Sequence, residues 1–318
     1  MNRKTVCRRP MRMPNFLIIG AQKSGTTALY HYLKQHPEVY MSPLKEPGFF
    51  AFEGQQPAFT NLKGELSKTS RTSITSLADY QALFQGRRGE KAAGEASIVY
   101  LFVPATAACI KQYLPEVRLI AMLRNPIDRA YSAFTHALRD NLETVRDFER
   151  ALELEESRIR NNCEFLFRYT SMGFYYAQLK RYFDVFDRDQ IRVYLYDDLR
   201  TDLPGTLHDI FRFLGVDARF TPDMSALHNA SGVPKNRLLH RATNVLLLKS
   251  DRARRLPEPF KVVLSSPFVS RTATKVRAGN LTKPPFPGQA REALGAVFRE
   301  DILRLQDLLA RDLSPWLS

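Results

Sequence analysis

The stretch Phe16-Leu-Ile-Ile19 ends in Gly20, and a second glycine, Gly25, follows before a segment of helical periodicity begins. Consecutive apolar residues without alternation predict a strand buried on both faces, as inside a parallel sheet. Thr26 to His36 carries Ala28, Leu29, Tyr32 and Leu33 at helical spacing and stops at Pro37. A strand, a glycine turn and a helix in this order open a parallel α/β unit.

The same grammar recurs downstream. Val117 to Leu123 predicts a second buried strand, preceded by a helical segment from Pro104 to Tyr113. Asn125-Pro126 then starts a helix that runs to about Asp140, with proline at a first-turn position where its missing N–H is harmless. Helical segments are expected near Phe148–Arg160 and Tyr169–Phe186, a strand at Ile191–Tyr196, a helix from Leu203 to Leu214 closed by Gly215, and a last helix over roughly Gln289–Arg311. Segments 54–76 and 250–287 read as loops or insertions. The expected fold class is α/β, a P-loop-like parallel sheet flanked by helices on both faces. The expected organisation is a basic tail over residues 1–14 and a single domain over 15–318, with a basic lid or insertion at 235–287.

No apolar run approaches the length that crosses a bilayer. The basic tail leads into no apolar stretch before the first strand, so a secretory signal is not expected. Cys7, Cys109 and Cys163 form neither a metal-ligand pattern nor a disulfide framework, and a reduced, cytoplasmic setting fits them. The chain carries a net charge of +14. Between Lys235 and Lys283, twelve lysines and arginines face only Asp251 and Glu258. Such a field favours anionic partners: a nucleotide, an acidic glycan, nucleic acid or an anionic membrane face. Only Phe260 and Phe268 interleave that run, which argues against nucleic acid.

The chemistry starts at Gly20-Ala-Gln-Lys-Ser-Gly-Thr-Thr27, whose glycines have the spacing of a nucleotide-phosphate loop. Free N–H groups at the helix start cradle phosphate oxygens. Unlike in a nucleotide-hydrolysing loop, the lysine lies inside, at Lys23, and Thr26 and Thr27 follow the second glycine. The magnesium-binding arrangement is therefore not reproduced, and a nucleotide kinase becomes the weaker reading. A non-catalytic anion-binding or nucleic-acid-binding module is the other alternative.

Gln22-Lys-Ser-Gly-Thr-Thr-Ala-Leu29 resembles the 5′-phosphosulfate loop of the sulfotransferases that use 3′-phosphoadenosine 5′-phosphosulfate (PAPS), in particular the bacterial and heparan-sulfate-type branch. The resemblance implies that Gln22, Lys23, Ser24, Gly25, Thr26 and Thr27 grip the donor and that Lys23 stabilises the leaving phosphate. It implies a 3′-phosphate site at Arg124 and Ser132, an arginine after a buried strand and a serine eight residues on. Lys235 and Arg237, in His228 to Arg237, match a later donor loop more loosely. Lys45-Glu-Pro-Gly-Phe-Phe50 matches a segment whose glutamate takes the acceptor's proton, which implies a base at Glu46, and Glu95 in Gly94-Glu-Ala-Ser-Ile-Val-Tyr100 is a second candidate. Ala96 stands where several glycan-modifying relatives carry lysine. What the resemblance predicts is sulfuryl transfer from PAPS, with PAP as product and no metal, to a hydroxyl or amine of a carbohydrate, a lipid-linked sugar or a small metabolite. A nucleic-acid partner is not expected, and the basic stretch suggests peripheral membrane contact.

Overall fold

The computed structural model describes residues 13–224, 232–247, 273, 276, 279–282 and 284–317. Five strands form one parallel sheet: β1 (Phe16–Gly20), β2 (Val39–Met41), β3 (Ala92–Ala96), β4 (Arg118–Leu123) and β5 (Ile191–Leu195), in the spatial order β2-β3-β1-β4-β5. β1 is central, paired with β3 on one side and β4 on the other. The chain therefore reverses its direction of travel across the sheet at β1. A parallel α/β sheet opens a crevice at the carboxyl ends of its strands at such a point.

Side chains alternate between two cores. Leu17, Ile19, Ala93, Leu119, Ala121 and Leu123 pack on one face, under the helices Thr106–Tyr113, Pro126–Arg139, Tyr175–Phe183 and Gly288–Leu309. Phe16, Ile18, Ala92, Ala96, Ile120 and Met122 pack on the other, against the helix α1 (Thr26–Leu33) and the helix Leu203–Leu214. Both faces of β1 are thus buried, which is why its sequence shows no polar alternation.

The expected strands at 16–19, 117–123 and 191–196 are present within a residue or two. Two expectations need correction, and one strand was not anticipated. Tyr169–Phe186 is not one helix: Ser171–Gly173 is a 3₁₀ turn, and the helix spans only Tyr175–Phe183. Glu155 accepts the amides of Thr170 and Ser171 at 2.6 and 2.8 Å, which ties that turn to a different helix. Segment 54–76 contains a helix, Lys68–Thr72, capped by Ser67. The segment at 92–96 is a core strand.

Of the basic stretch, the described part shows Val233–Pro234 pairing antiparallel with Leu281–Thr282, a helix at Arg237–Leu246, and Asn280 bonded to the backbone of Lys235 and Asn236. The remainder, with the tail 1–12, lies outside the described residues. Among the described residues no helix is long and apolar enough to cross a membrane.

Candidate active site

At the carboxyl edge of the sheet lies a cleft of about 450 Å³ that gathers residues from seven separate chain segments. Its floor is the turn between β1 and α1. The Ala21 amide donates to the Met122 carbonyl at 2.6 Å, which locks the start of the turn onto β4. Gly25 closes the turn at φ +93°, and a Cβ there would sit 3.1 Å from the Tyr196 ring and 3.3 Å from Leu199. Glycine alone meets both demands without strain. No side chain caps α1 and no acidic residue occupies its first turn, so its amides and dipole are left for an anion.

Lys23 is half-buried within this turn at φ +65°. Left-handed backbone at a residue with a Cβ is unfavourable by roughly 1–2 kcal/mol and marks a position held by its surroundings. Burial lowers the ammonium pKa, and the cations of Arg139 and Arg124 lower it further against Asp140 and Glu46, leaving it at about 8. The group titrates near the working range and carries its charge in a site already rich in cations.

Arg124 follows the last residue of β4. Its Nη1 lies 3.5 Å from the Lys23 carbonyl, and its guanidinium stands 4.9 Å over the ring of Tyr196. Asn125 caps the helix Pro126–Arg139 by accepting from the Ile127 amide, which fixes the direction of that helix. Two turns along, Ser132 lines the cleft, is 7% exposed, and its hydroxyl has no hydrogen-bond partner. A buried, unpartnered hydroxyl beside an arginine and a phosphate loop fits a terminal phosphate that would satisfy it.

The opposite wall carries the proton acceptor candidate. Glu46, also at φ +65°, lines the cleft and pairs with Lys45 at 2.5 Å. Burial pushes its carboxyl up, but Lys45, Lys68 and His136 outweigh that and hold it below the ordinary carboxylate value. Its loop is anchored from beneath: the Glu46 amide donates to the Ala96 carbonyl at 2.9 Å and the Gly48 amide to the Ser97 hydroxyl at 3.1 Å. Ser97 in turn donates to Glu95 at 2.9 Å.

Glu95 itself does not reach the cleft. It is fully buried on the face of β3 that shares a core with Leu17, where Tyr80 donates to it at 3.2 Å. Of the two carboxylates, Glu46 lines the cleft and Glu95 supports the loop that carries it. No ion pair to Glu95 forms among the described residues.

Gln22, Lys23, Gly25, Thr26, Thr27, Arg124, Ser132 and Glu46 share the one cleft. Ser24 is fully buried behind the loop and does not line it. Lys235 is exposed and away from the lining, and Arg237 opens its helix with a side chain outside the described set. His136 is an additional lining residue, one turn beyond Ser132 on the same helix face. It pairs with Asp140 at 3.0 Å, and burial lowers its pKa. Its four-residue offset from Ser132 is the helical spacing that puts both on the cleft side. Lys68, Thr69, Thr72, Ser73, Phe52 and Phe165 also line the cleft.

Residues 13–243 match the sulfotransferase domain family. The chain is 35% identical to a sulfotransferase from Alicyclobacillus acidocaldarius, whose crystal structure aligns over 96% of this chain and 99% of that one with a TM-score of 0.73. Human carbohydrate sulfotransferase 15 is 24% identical over 249 residues, 64% of this chain and 44% of that protein. Human bifunctional heparan sulfate N-deacetylase/N-sulfotransferase 2 is 29% identical over 220 residues, 64% of this chain and 22% of that protein. The chain thus spans less than half the length of these curated relatives. With a displaced-lysine phosphate loop, the arginine–serine pair and a matched domain over most of its length, the chain belongs to the sulfotransferase family.

Proposed function

We propose that the protein transfers a sulfuryl group from PAPS to a hydroxyl or amine of a carbohydrate or lipid-linked acceptor. The observation that carries this reading is the convergence of the phosphate loop, Arg124, Ser132 and Glu46 on one cleft. Its anion-binding groups suit a nucleotide with phosphate at both ends: the α1 amides with Lys23, Thr26 and Thr27 for the 5′-phosphosulfate, and Arg124 with the unpartnered Ser132 hydroxyl for the 3′-phosphate. The Tyr196 ring, which also lines the cleft, packs against the Arg124 guanidinium.

The acceptor hydroxyl or amine gives its proton to the Glu46 carboxylate and forms a bond to sulfur. The bond between sulfur and the 5′-phosphate oxygen breaks in line, and PAP departs. Negative charge grows on that oxygen, and the Lys23 ammonium is the cation placed to meet it. Neighbouring cations keep Glu46 ionised and ready to accept a proton at neutral pH. The carbohydrate part of the reading is supported by the mixed lining of the cleft, which includes Lys68, Thr69, Thr72 and Ser73 as well as Phe52 and Phe165. Polar and aromatic residues lining one cleft suit a sugar, which is polar at its edge and apolar on its face. The names of the curated relatives, which act on carbohydrates and heparan sulfate, point the same way.

The test is transfer of radiolabelled sulfate from PAPS to a panel of glycans, lipid-linked sugars and small hydroxylated metabolites, run with the native chain and with Lys23→Ala. Label must pass to a sugar-bearing acceptor with the native chain and not with the variant. Equal labelling by both proteins contradicts the role of Lys23.

A further inference from the structure

The helix Pro126–Arg139 carries a cation that the transfer chemistry leaves unexplained. Arg129 is wholly buried and does not line the cleft. Its Nη1 donates to Gln22 Oε1 at 3.4 Å and its Nη2 to the carbonyl of Tyr169, while its Nε has no partner. No carboxylate among the described residues forms an ion pair with it. Glu155, whose charge it feels, is already engaged by the Thr170 and Ser171 amides. Burial works against the charged form of Arg129, and the nearby Arg124 adds repulsion. A guanidinium nevertheless keeps its proton. Among the described residues this is a buried positive charge without an ion-paired carboxylate, an arrangement that destabilises a protein unless something else compensates it.

We infer that Arg129 is a positioning residue that holds the phosphate loop ready for an anion through Gln22, and that the negative charge it lacks is provided by the bound nucleotide's phosphates. This rests on the donor reading above. Two features of the geometry support it. Gln22 lines the cleft immediately before Lys23, and its oxygen is taken up by Arg129. Its amide nitrogen, a pure donor, is then the end left for an anion. The second feature is electrostatic: Arg124 acts on both Lys23 and Arg129, so a nucleotide phosphate meeting Arg124 relieves the repulsion it exerts on each. Arg129 therefore favours the nucleotide-bound protein over the empty one.

The experiment compares PAP binding by calorimetry and melting temperature without nucleotide for the native chain, Arg129→Met, Arg129→Lys and Gln22→Met. Removing the charge in Arg129→Met should weaken PAP about tenfold or more, through the loss of a nearby buried positive charge and of the orientation it gives Gln22. The nucleotide-free variant should melt no lower than the native chain, since an uncompensated charge has gone. Arg129→Lys, which keeps charge but loses the planar fork, should show a smaller loss. PAP affinity within twofold of native together with a lower melting temperature would show a purely structural arginine and overturn the inference. Should Arg129→Met fail to fold, Gln22→Met decides: about a tenfold loss at native melting temperature supports the link, and affinity within twofold overturns it. A native chain that does not bind PAP at all refutes the donor reading itself, an outcome separate from any difference among the variants.

Discussion

Replacing Glu95 by glutamine isolates the one carboxyl that this fold buries beneath its reactive loop. Glu95 has no solvent access and accepts hydrogen bonds from Tyr80 and Ser97. Burial dominates, lifting its pKa from 4.5 to about 7 despite the lowering by those hydroxyls and Lys45. A raised carboxyl pKa means that, between pH 4.5 and 7, the folded protein retains a proton the unfolded chain has released. Stability from this group is therefore present at low pH and is lost as pH rises through that window. At about 1.4 kcal/mol for each tenfold change in proton affinity, the ionised form destabilises the fold by roughly 3 kcal/mol at pH 8. Glutamine keeps the shape and cannot ionise. Urea denaturation at pH 5 and pH 8 should place the variant within about 1 kcal/mol of the native chain at the lower pH, and up to about 3 kcal/mol above it at the higher pH. A stability difference that is the same at both pH values refutes the reasoning.

Glu46→Gln should retain PAP affinity within a few-fold and lose about a hundredfold or more in transfer rate, the usual scale of a lost general base; turnover close to native contradicts the assignment. Because the Lys23 ammonium has its pKa lowered to about 8, PAP affinity of the native chain should fall as pH rises through that value, and Lys23→Ala should flatten this dependence. Calorimetric titration from pH 7 to 9 checks it, and an unchanged profile in the variant counts against the lysine. Gly94→Ala should destabilise the fold by about 1–3 kcal/mol, because a Cβ there falls 2.4 Å from the ring of Phe16; denaturation of the variant at native stability would show that the two strands part without cost.

The parts of the fold that were legible from the chain are those where burial imposes a pattern. Phe16–Ile19, Val117–Leu123 and Ile191–Tyr196 are strands because the sheet buries most of their side chains, and apolar residues are what it admits. Ala92-Ala-Gly-Glu-Ala96 carries no such signal. It lies beside β1, and Phe16 fills the space over Gly94, so this position stays small whatever strand preference it carries. Tyr169–Phe186 has helical apolar spacing throughout, yet the cap from Glu155, distant in sequence, claims its first turn. The site was legible where backbone and chemistry coincide, in the glycine turn with Lys23 and in the arginine after β4. Choosing between Glu46 and Glu95 needed the pleat of β3, which turns Glu95 toward Tyr80 and away from the cleft. Lys68 and His136 were hidden for a related reason. One lies in a polar segment that gains its helix from a Ser67 cap, and the other, paired locally with Asp140, lines the cleft only through the way its helix is set against the phosphate loop.

The account turns on whether a single cleft grips both anionic ends of one nucleotide. Binding of PAP and of adenosine 5′-monophosphate, which lacks the 3′-phosphate, to the native chain and to Arg124→Ala measures this directly. Arg124→Ala should weaken PAP by about tenfold or more, the scale of a charge-assisted phosphate contact, and leave the monophosphate within about twofold. An equal loss for both nucleotides would place Arg124 at the wrong phosphate and contradict the arrangement.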